Sequence, residues 1–210
     1  MSRIQITKAD ALIVIDIQND FCPGGALAIP NGHEVVEPAN RMMEKFQTVV
    51  LSQDWHPAGH QSFASSHEGK NPMDMIRMPY GDQILWPDHC IQGSPGAEFH
   101  ADLNTDKANL IVRKGSKSEI DSYSAFFEND QTTTTGLSGY LTSKKIDRIF
   151  LLGLAAEFCV GFSALDGLKE GLKVCVFEDA IRSLGGDHYE TMLKTQTDAG
   201  VQFITTADVD

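Results

Sequence analysis

The chain has 210 residues, 41% hydrophobic and 22% charged, with a formal net charge of -12. That length suits one α/β domain with a sizeable core and forces no second one. The acidic balance argues against nucleic acid or anionic membrane as a partner, and no apolar run marks a signal or a membrane span, so a soluble cytoplasmic protein is expected.

In chain order, Ala11-Leu-Ile-Val-Ile-Asp16 reads as a first buried strand with a carboxylate at its C-terminal end. A Pro-Gly-Gly loop at 23–25 follows it. Glu34 to Phe46 has apolar residues at helical spacing, and Thr48 to Ser52 is a second strand ending just before Asp54. The span from about Trp55 to Leu103 is rich in Pro, Gly, His and Met and predicts a long irregular insertion. Insertions of that size are usually functional. Asn109 to Arg113 is a third strand running into Lys114-Gly115. Leu137 to Ile146 reads as a helix, and Ile149 to Leu152 as a fourth strand. A helix from Cys159 to about Leu172, a strand at Val174–Phe177, a helix at Glu190–Asp198 and a strand at Val201–Ile204 complete the pattern. Such alternation predicts a three-layer α/β/α domain around a doubly wound, mostly parallel six-stranded sheet.

Ligands of such sheets bind outside the carboxyl ends of the strands. Asp16, Asp54, Lys114 and Cys159 each fall at or just past such an end. Singly, each has a dull explanation as a cap, a solvated charge or a small buried hydrophobe. On one shared edge they make a site. A nucleophilic thiol needs a base and a cation, and Asp16 and Lys114 supply them. Cys159 at a helix start also meets the positive end of the helix dipole, which favours thiolate. The backbone amides of Ala155 and Cys159, around the turn that opens the helix, are candidate oxyanion donors. The other cysteines, Cys22, Cys90 and Cys175, are too scattered for a disulfide framework, and Cys175 reads as core.

Asp54-Trp-His56-Pro-Ala-Gly-His60, with His89 further along the same span, is a second cluster. One Asp and two or three His suit a single divalent transition metal, zinc, iron(II) or manganese, in a site with open positions. His33, His67, His100 and His188 lack such spacing and read as surface residues.

These motifs, in order, carry a family resemblance: Val14-Ile-Asp16-Ile-Gln18-Asn19-Asp20-Phe21, Asp54-Trp-His56-Pro-Ala-Gly-His60, Trp86-Pro-Asp-His89-Cys90, Arg113-Lys114-Gly115, Tyr123-Ser-Ala-Phe126 and Gly153-Leu-Ala-Ala-Glu-Phe-Cys159-Val160. Nearly end to end, the chain resembles the nicotinamidase/pyrazinamidase family of the isochorismatase-like (cysteine hydrolase) superfamily. The resemblance implies one isochorismatase-like domain over 1–210, with the metal-binding insertion at about 55–103. It implies a triad of Asp16, Lys114 and Cys159, and metal ligation by Asp54, His56 and His89 with His60 as a candidate fourth partner. Phe21, Leu27, Trp86 and Tyr123 would line a ring pocket, and the Leu154-Ala155 peptide would be cis. The implied activity is hydrolysis of nicotinamide, and of pyrazinamide, through a Cys thioester in NAD salvage. The implied partners are those small molecules, with room for a homo-oligomer. The alternative is another superfamily hydrolase, an isochorismatase or a carbamoyl or ureido amidohydrolase, relatives that generally lack the Asp-x-His set. One departure stands out: the nucleophile turn reads Ala-Ala-Glu-Phe-Cys where relatives often show Ala-Thr-Asp-Tyr-Cys, so the hydrogen bonds behind the nucleophile are open to change.

Overall fold

The computed structural model describes residues 3–210. Strand β1 (Asp10–Ile15) is buried along its whole length, as are β2 (Thr48–Asp54) and nearly all of β6 (Arg148–Leu154). Unbroken apolar runs demand this, because a strand that is apolar on both faces must be covered on both. By contrast β5 (Leu110–Lys114) alternates buried and exposed positions, as an edge strand should. With β7 (Lys173–Arg182) and β8 (Gln202–Ile204) these strands form a sheet of order β5-β2-β1-β6-β7-β8 in which every pair is parallel.

The chain winds outward from β1 through β2 to β5, returns to β6 beside β1, and winds out the other way. The reversal between β1 and β6 opens a crevice at their carboxyl ends. With the strand order, the right-handed rule for parallel crossovers places α1 (Val36–Met43) on one face and α2 (Leu137–Ser143), α3 (Gly161–Lys169) and α4 (Asp187–Ala199) on the other. Alternation along β6 shows both interfaces. Phe150 meets Phe46 edge-on at 5.1 Å and stacks with Phe177 at 5.7 Å. Ile149 faces α3, where a Cβ on Gly167 would sit 2.7 Å from its Cδ1, so the missing side chain lets helix and sheet close.

Four expectations are adjusted. The 55–103 span contains an antiparallel hairpin, β3 (Met75–Met78) and β4 (Gly81–Ile84), which is weakly advertised because Ile76 and Ile84 are its only β-branched residues. The helix expected over Glu34–Phe46 begins as a 3-10 turn, Gly32–Val35, and ends at Met43. The last helix starts at Asp187 rather than Glu190. Strand β7 runs on past Phe177 to Arg182, its register with β6 shifting between Leu151 and Gly153. No described helix is long and apolar enough to cross a membrane.

Gly153 is where β6 presses closest on β1. It has φ +119°, and a Cβ there would lie 2.1 Å from the Ile15 carbonyl oxygen. Gly153→Ala therefore combines a left-handed φ with a backbone clash, and should cost about 3 kcal/mol or more in urea unfolding. A loss below about 1 kcal/mol would show that the two strands can separate there at little cost.

Candidate active site

Asp54 and Lys114 are the last residues of β2 and β5 and are direct neighbours in the sheet. Asp16 follows β1 with a left-handed φ of +46°, which swings its carboxylate off the strand line. Cys159 lies beyond β6 in a π-helical turn, Ala156–Val160, that feeds α3. The other three side chains converge on the Lys114 ammonium. Nζ lies 2.9 Å from Asp16 Oδ2, 2.9 Å from Asp54 Oδ1, 3.0 Å from the Ser122 carbonyl and 3.5 Å from Cys159 Sγ. Lys114 and Asp16 have no exposed surface at all. Ser52 donates to Asp16 Oδ1 at 2.6 Å, leaving Oδ2 buried without an aligned donor, 2.9 Å from the Lys114 ammonium.

The charges shift one another in opposite directions. Burial pulls Lys114 down, but Asp16 and Asp54 outweigh it and hold its ammonium well above the usual lysine value. Burial raises both carboxyls too, with different outcomes. Asp54, facing His56 and Lys114, ends well below the ordinary range; Asp16, with Lys114 set against burial and the Asp54 charge, ends above it. Burial likewise pushes the Cys159 thiol well above its usual value, helped by Asp16 and Asp54 and opposed by Lys114. The helix start alone therefore does not deliver a thiolate, contrary to the expectation from the dipole. The fully buried sulfur needs a base.

The opposite oxygen of Asp54 faces the histidines, with Oδ2 3.2 Å from His56 Nε2 and 3.5 Å from His89 Nε2. His56 Nδ1 pairs with the Gly115 carbonyl at 2.9 Å and His89 Nδ1 with the Pro87 carbonyl at 2.8 Å. Each carbonyl can only accept, so each Nδ1 carries a proton and Nε2 is the nitrogen turned toward the ligand position. Against burial, the Asp54 carboxylate pushes His56 up to about 9, so a metal binds there in place of the Nε2 proton. His56 Nε2 is buried with no hydrogen-bond partner. The three ligand atoms lie within 4.8 Å of one another. An orphaned imidazole nitrogen beside a second one and an ionised carboxylate is a donor set for a divalent transition metal. His60 is placed differently. Its Nδ1 is taken by Ser62 and its Nε2 by the Lys117 and Ile120 carbonyls, and its ring lies tilted beside His56 at 4.4 Å. It also sits near Asp121 and His56 as a second possible trio, but its nitrogens are already engaged.

A cavity of about 380 Å³ lies beside these centres, with Cys159, Asp54 and His89 in its wall. All four expected pocket residues, Phe21, Leu27, Trp86 and Tyr123, line it, as does Ala155. The Leu154-Ala155 peptide is cis. Sequence reasoning missed Ile29, Asp121, Ser122, Phe158 and Leu184. Phe158 reads as a core position on the helix stripe, yet it packs edge-on against Trp86 at 4.9 Å and beside Tyr123 at 5.4 Å. Asp121 and Leu184 sit in loops with no spacing signal. Among the remaining histidines, His33 and His188 are exposed as expected, while His67 and His100 are half-buried.

Over residues 10–208 the chain matches the Isochorismatase domain family. It is 49% identical over 186 residues to a nicotinamidase of Acinetobacter baylyi, covering 88% of this chain and 87% of that one. A nicotinamidase pyrazinamidase structure from Acinetobacter baumanii superposes with TM-score 0.95 at 47% identity, covering 96% of this chain and 98% of that one. A pyrazinamidase of Pyrococcus horikoshii in complex with zinc superposes with TM-score 0.77 at 33% identity, covering 94% and 99% of the two chains.

Gly115 packs against His56 of the Asp54–His56–His89 trio. It has φ +64°, and a Cβ there would sit 2.4 Å from His56 Cε1 and 2.6 Å from Nδ1. Gly115→Ala should displace His56 and weaken zinc binding by about 10- to 100-fold, read by titrating the metal-free protein against a chromophoric chelator. An unchanged zinc affinity would mean that His56 is not positioned by this contact.

Proposed function

We propose that this chain, which belongs to the isochorismatase family, is a nicotinamidase that hydrolyses nicotinamide to nicotinic acid and ammonia, accepts pyrazinamide, and serves NAD salvage. One observation carries this reading above all. A buried Lys114 holds Asp16, Asp54 and Cys159 together at the wall of an aromatic-lined cavity that also borders the Asp54–His56–His89 trio. The close similarity to nicotinamidases supports the substrate.

The pyridine ring fits among Phe21, Leu27, Trp86 and Tyr123, with its carboxamide toward Cys159. Asp54, His56 and His89 hold one divalent ion, zinc by analogy with the archaeal relative, with iron(II) and manganese also suited to such donors. What such an ion supplies when bound is a Lewis-acid anchor for the ring nitrogen.

Asp16 takes the thiol proton, a task its raised pKa suits, while Lys114 balances the resulting charge. The sulfur attacks the carboxamide carbon, and the developing oxyanion meets the backbone amides of Ala155 and Cys159. Asp16 passes its proton to the leaving nitrogen, the C–N bond breaks, and ammonia departs from a thioester. Water then enters, Asp16 takes one of its protons, and the hydroxyl adds to the thioester carbon. The C–S bond breaks, the sulfur recovers the proton from Asp16, and nicotinic acid leaves.

Cys159→Ala should abolish nearly all ammonia release while leaving nicotinamide binding measurable by calorimetry; substantial residual turnover would instead indicate hydrolysis by water, with Cys159 structural. Asp16→Asn should lower kcat by about 10²- to 10⁴-fold. Because the folded pKa of Asp16 is raised, wild-type kcat/KM should fall with acidification at a pH above the ordinary aspartate value of 3.8. His56→Ala should reduce metal content and weaken nicotinamide binding, yet leave iodoacetamide alkylation of Cys159 largely intact. Equal loss of both would assign the metal a role in holding the fold.

A further inference from the structure

Glu157 lies between Ala155 and Cys159 on the nucleophile turn and is only 2% exposed, yet no step above uses it. Its carboxylate reaches across to the connection between β7 and α4. Oε1 accepts from the Leu184 amide at 2.8 Å and from the Ser183 hydroxyl at 3.2 Å. Ser183 Oγ in turn accepts from the Gly185 amide at 2.7 Å. Oε2 is buried with no partner of its own. The sequence departure from the family pattern, Glu where relatives often show Asp, thus falls on the residue that makes this reach.

The connection it grips is otherwise lightly held. Gly185 and Gly186 are both left-handed, with φ +84° and +75°, and a Cβ on either would meet nothing within 4 Å. Its β7 end is tied by Arg182 to Glu34 at 2.8 Å. Between these points Leu184 turns its side chain into the wall of the cavity that holds Cys159. A buried carboxyl held by one backbone amide and one hydroxyl is left unsatisfied once separated from those donors, and then requires water. Opening of this connection and hydration of Glu157 are therefore one event.

We infer that Glu157 is a positioning residue that latches Leu184 over the ring pocket, tightening the grip on a flat aromatic amide and restricting access to Cys159. The inference deepens the amidase reading and rests on it for the identity of the ligand, though not for the closure itself.

Two measurements test it: the rate at which iodoacetamide labels Cys159 in substrate-free protein, located by peptide mass spectrometry, and steady-state KM and kcat for ammonia release from nicotinamide. Removing one apolar wall residue or its latch should raise KM about tenfold, so Glu157→Ala and Leu184→Ala should each do so, with kcat within about threefold of wild type. Both should also speed labelling. Glu157→Gln keeps the accepting oxygen and should stay within about threefold of wild type on every readout. Ser183→Ala removes one donor without emptying the buried site, and should raise labelling and KM about two- to threefold, which keeps the test open if Glu157→Ala fails to fold. The double variant Glu157→Ala/Leu184→Ala should be no worse than either single change. A fall in kcat with KM unchanged in Glu157→Ala would overturn the latch, since Glu157 would then be shaping the nucleophile turn. Wild-type labelling and KM in Leu184→Ala would overturn it too. A wild-type protein that releases no ammonia from nicotinamide would defeat the amidase reading alone; the labelling rates would still decide the closure.

Discussion

One ammonium and two carboxylates share a volume from which water is excluded. A lone buried charge at Lys114 would cost several kcal/mol, and the cost is offset only because Asp16, Asp54 and the Ser122 carbonyl sit at about 3 Å. Two acids cannot both be fully satisfied by one lysine. Asp54 has a second set of partners in His56 and His89 and stays ionised; Asp16 lacks one, and is the acid that can afford to carry a proton. Paired acids driven apart by their surroundings divide into a fixed charge and a proton carrier. Asp54 also spans the two centres, with Oδ1 on Lys114 and Oδ2 on the imidazoles, so a change at the histidines is felt at the lysine through a single side chain.

Holding these groups requires the loops beyond the strands to be as rigid as the strands. Gln18 does part of this work. Its side-chain amide accepts from the Asp54 amide at 2.7 Å and donates to the Asp54 carbonyl at 2.9 Å, continuing a sheet-like pairing past the end of β1. Asp20 accepts from the Cys90 amide at 2.7 Å and so fixes the residue next to His89. Gly96 exists without a Cβ because Asp20 occupies the space, 2.1 Å from where that atom would be. One short motif after β1 therefore supplies an acid, a pocket wall and the supports for two histidine-trio positions.

Much of this was legible because strand ends are legible. Apolar runs locate β1, β2, β5 and β6, and the topology of alternating strands and helices places Asp16, Asp54, Lys114 and Cys159 on one edge before any distance is known. The close spacing of Asp54 and His56 likewise marks a cluster. What the sequence hides is whatever depends on contacts between loops. His60 shares that spacing, yet Ser62 and two carbonyls claim its nitrogens. The β3–β4 hairpin shows no alternation, and its Gln83 is nonetheless fully buried, donating to Asp121 at 2.6 Å beneath the pocket. Leu184 lines the cavity from a loop whose amide is held by Glu157, a carboxyl far away in sequence.

The one electrostatic expectation that failed explains why the site is built as it is. A helix start offers a thiol some stabilisation as an anion, of the order of 1 kcal/mol. Full burial opposes it more strongly, and two neighbouring carboxylates add to the opposition. Burial alone therefore favours the thiol over the thiolate, and the sulfur is a weak nucleophile without a base. In the proposed mechanism Asp16 is that base, and burial raises Asp16 as well as the thiol, so it holds a proton more firmly than an ordinary aspartate. Dryness therefore does not work against the chemistry. It slows Cys159 toward bulk electrophiles, while an acid of raised pKa beside it is suited to take and return the proton once the pocket is filled.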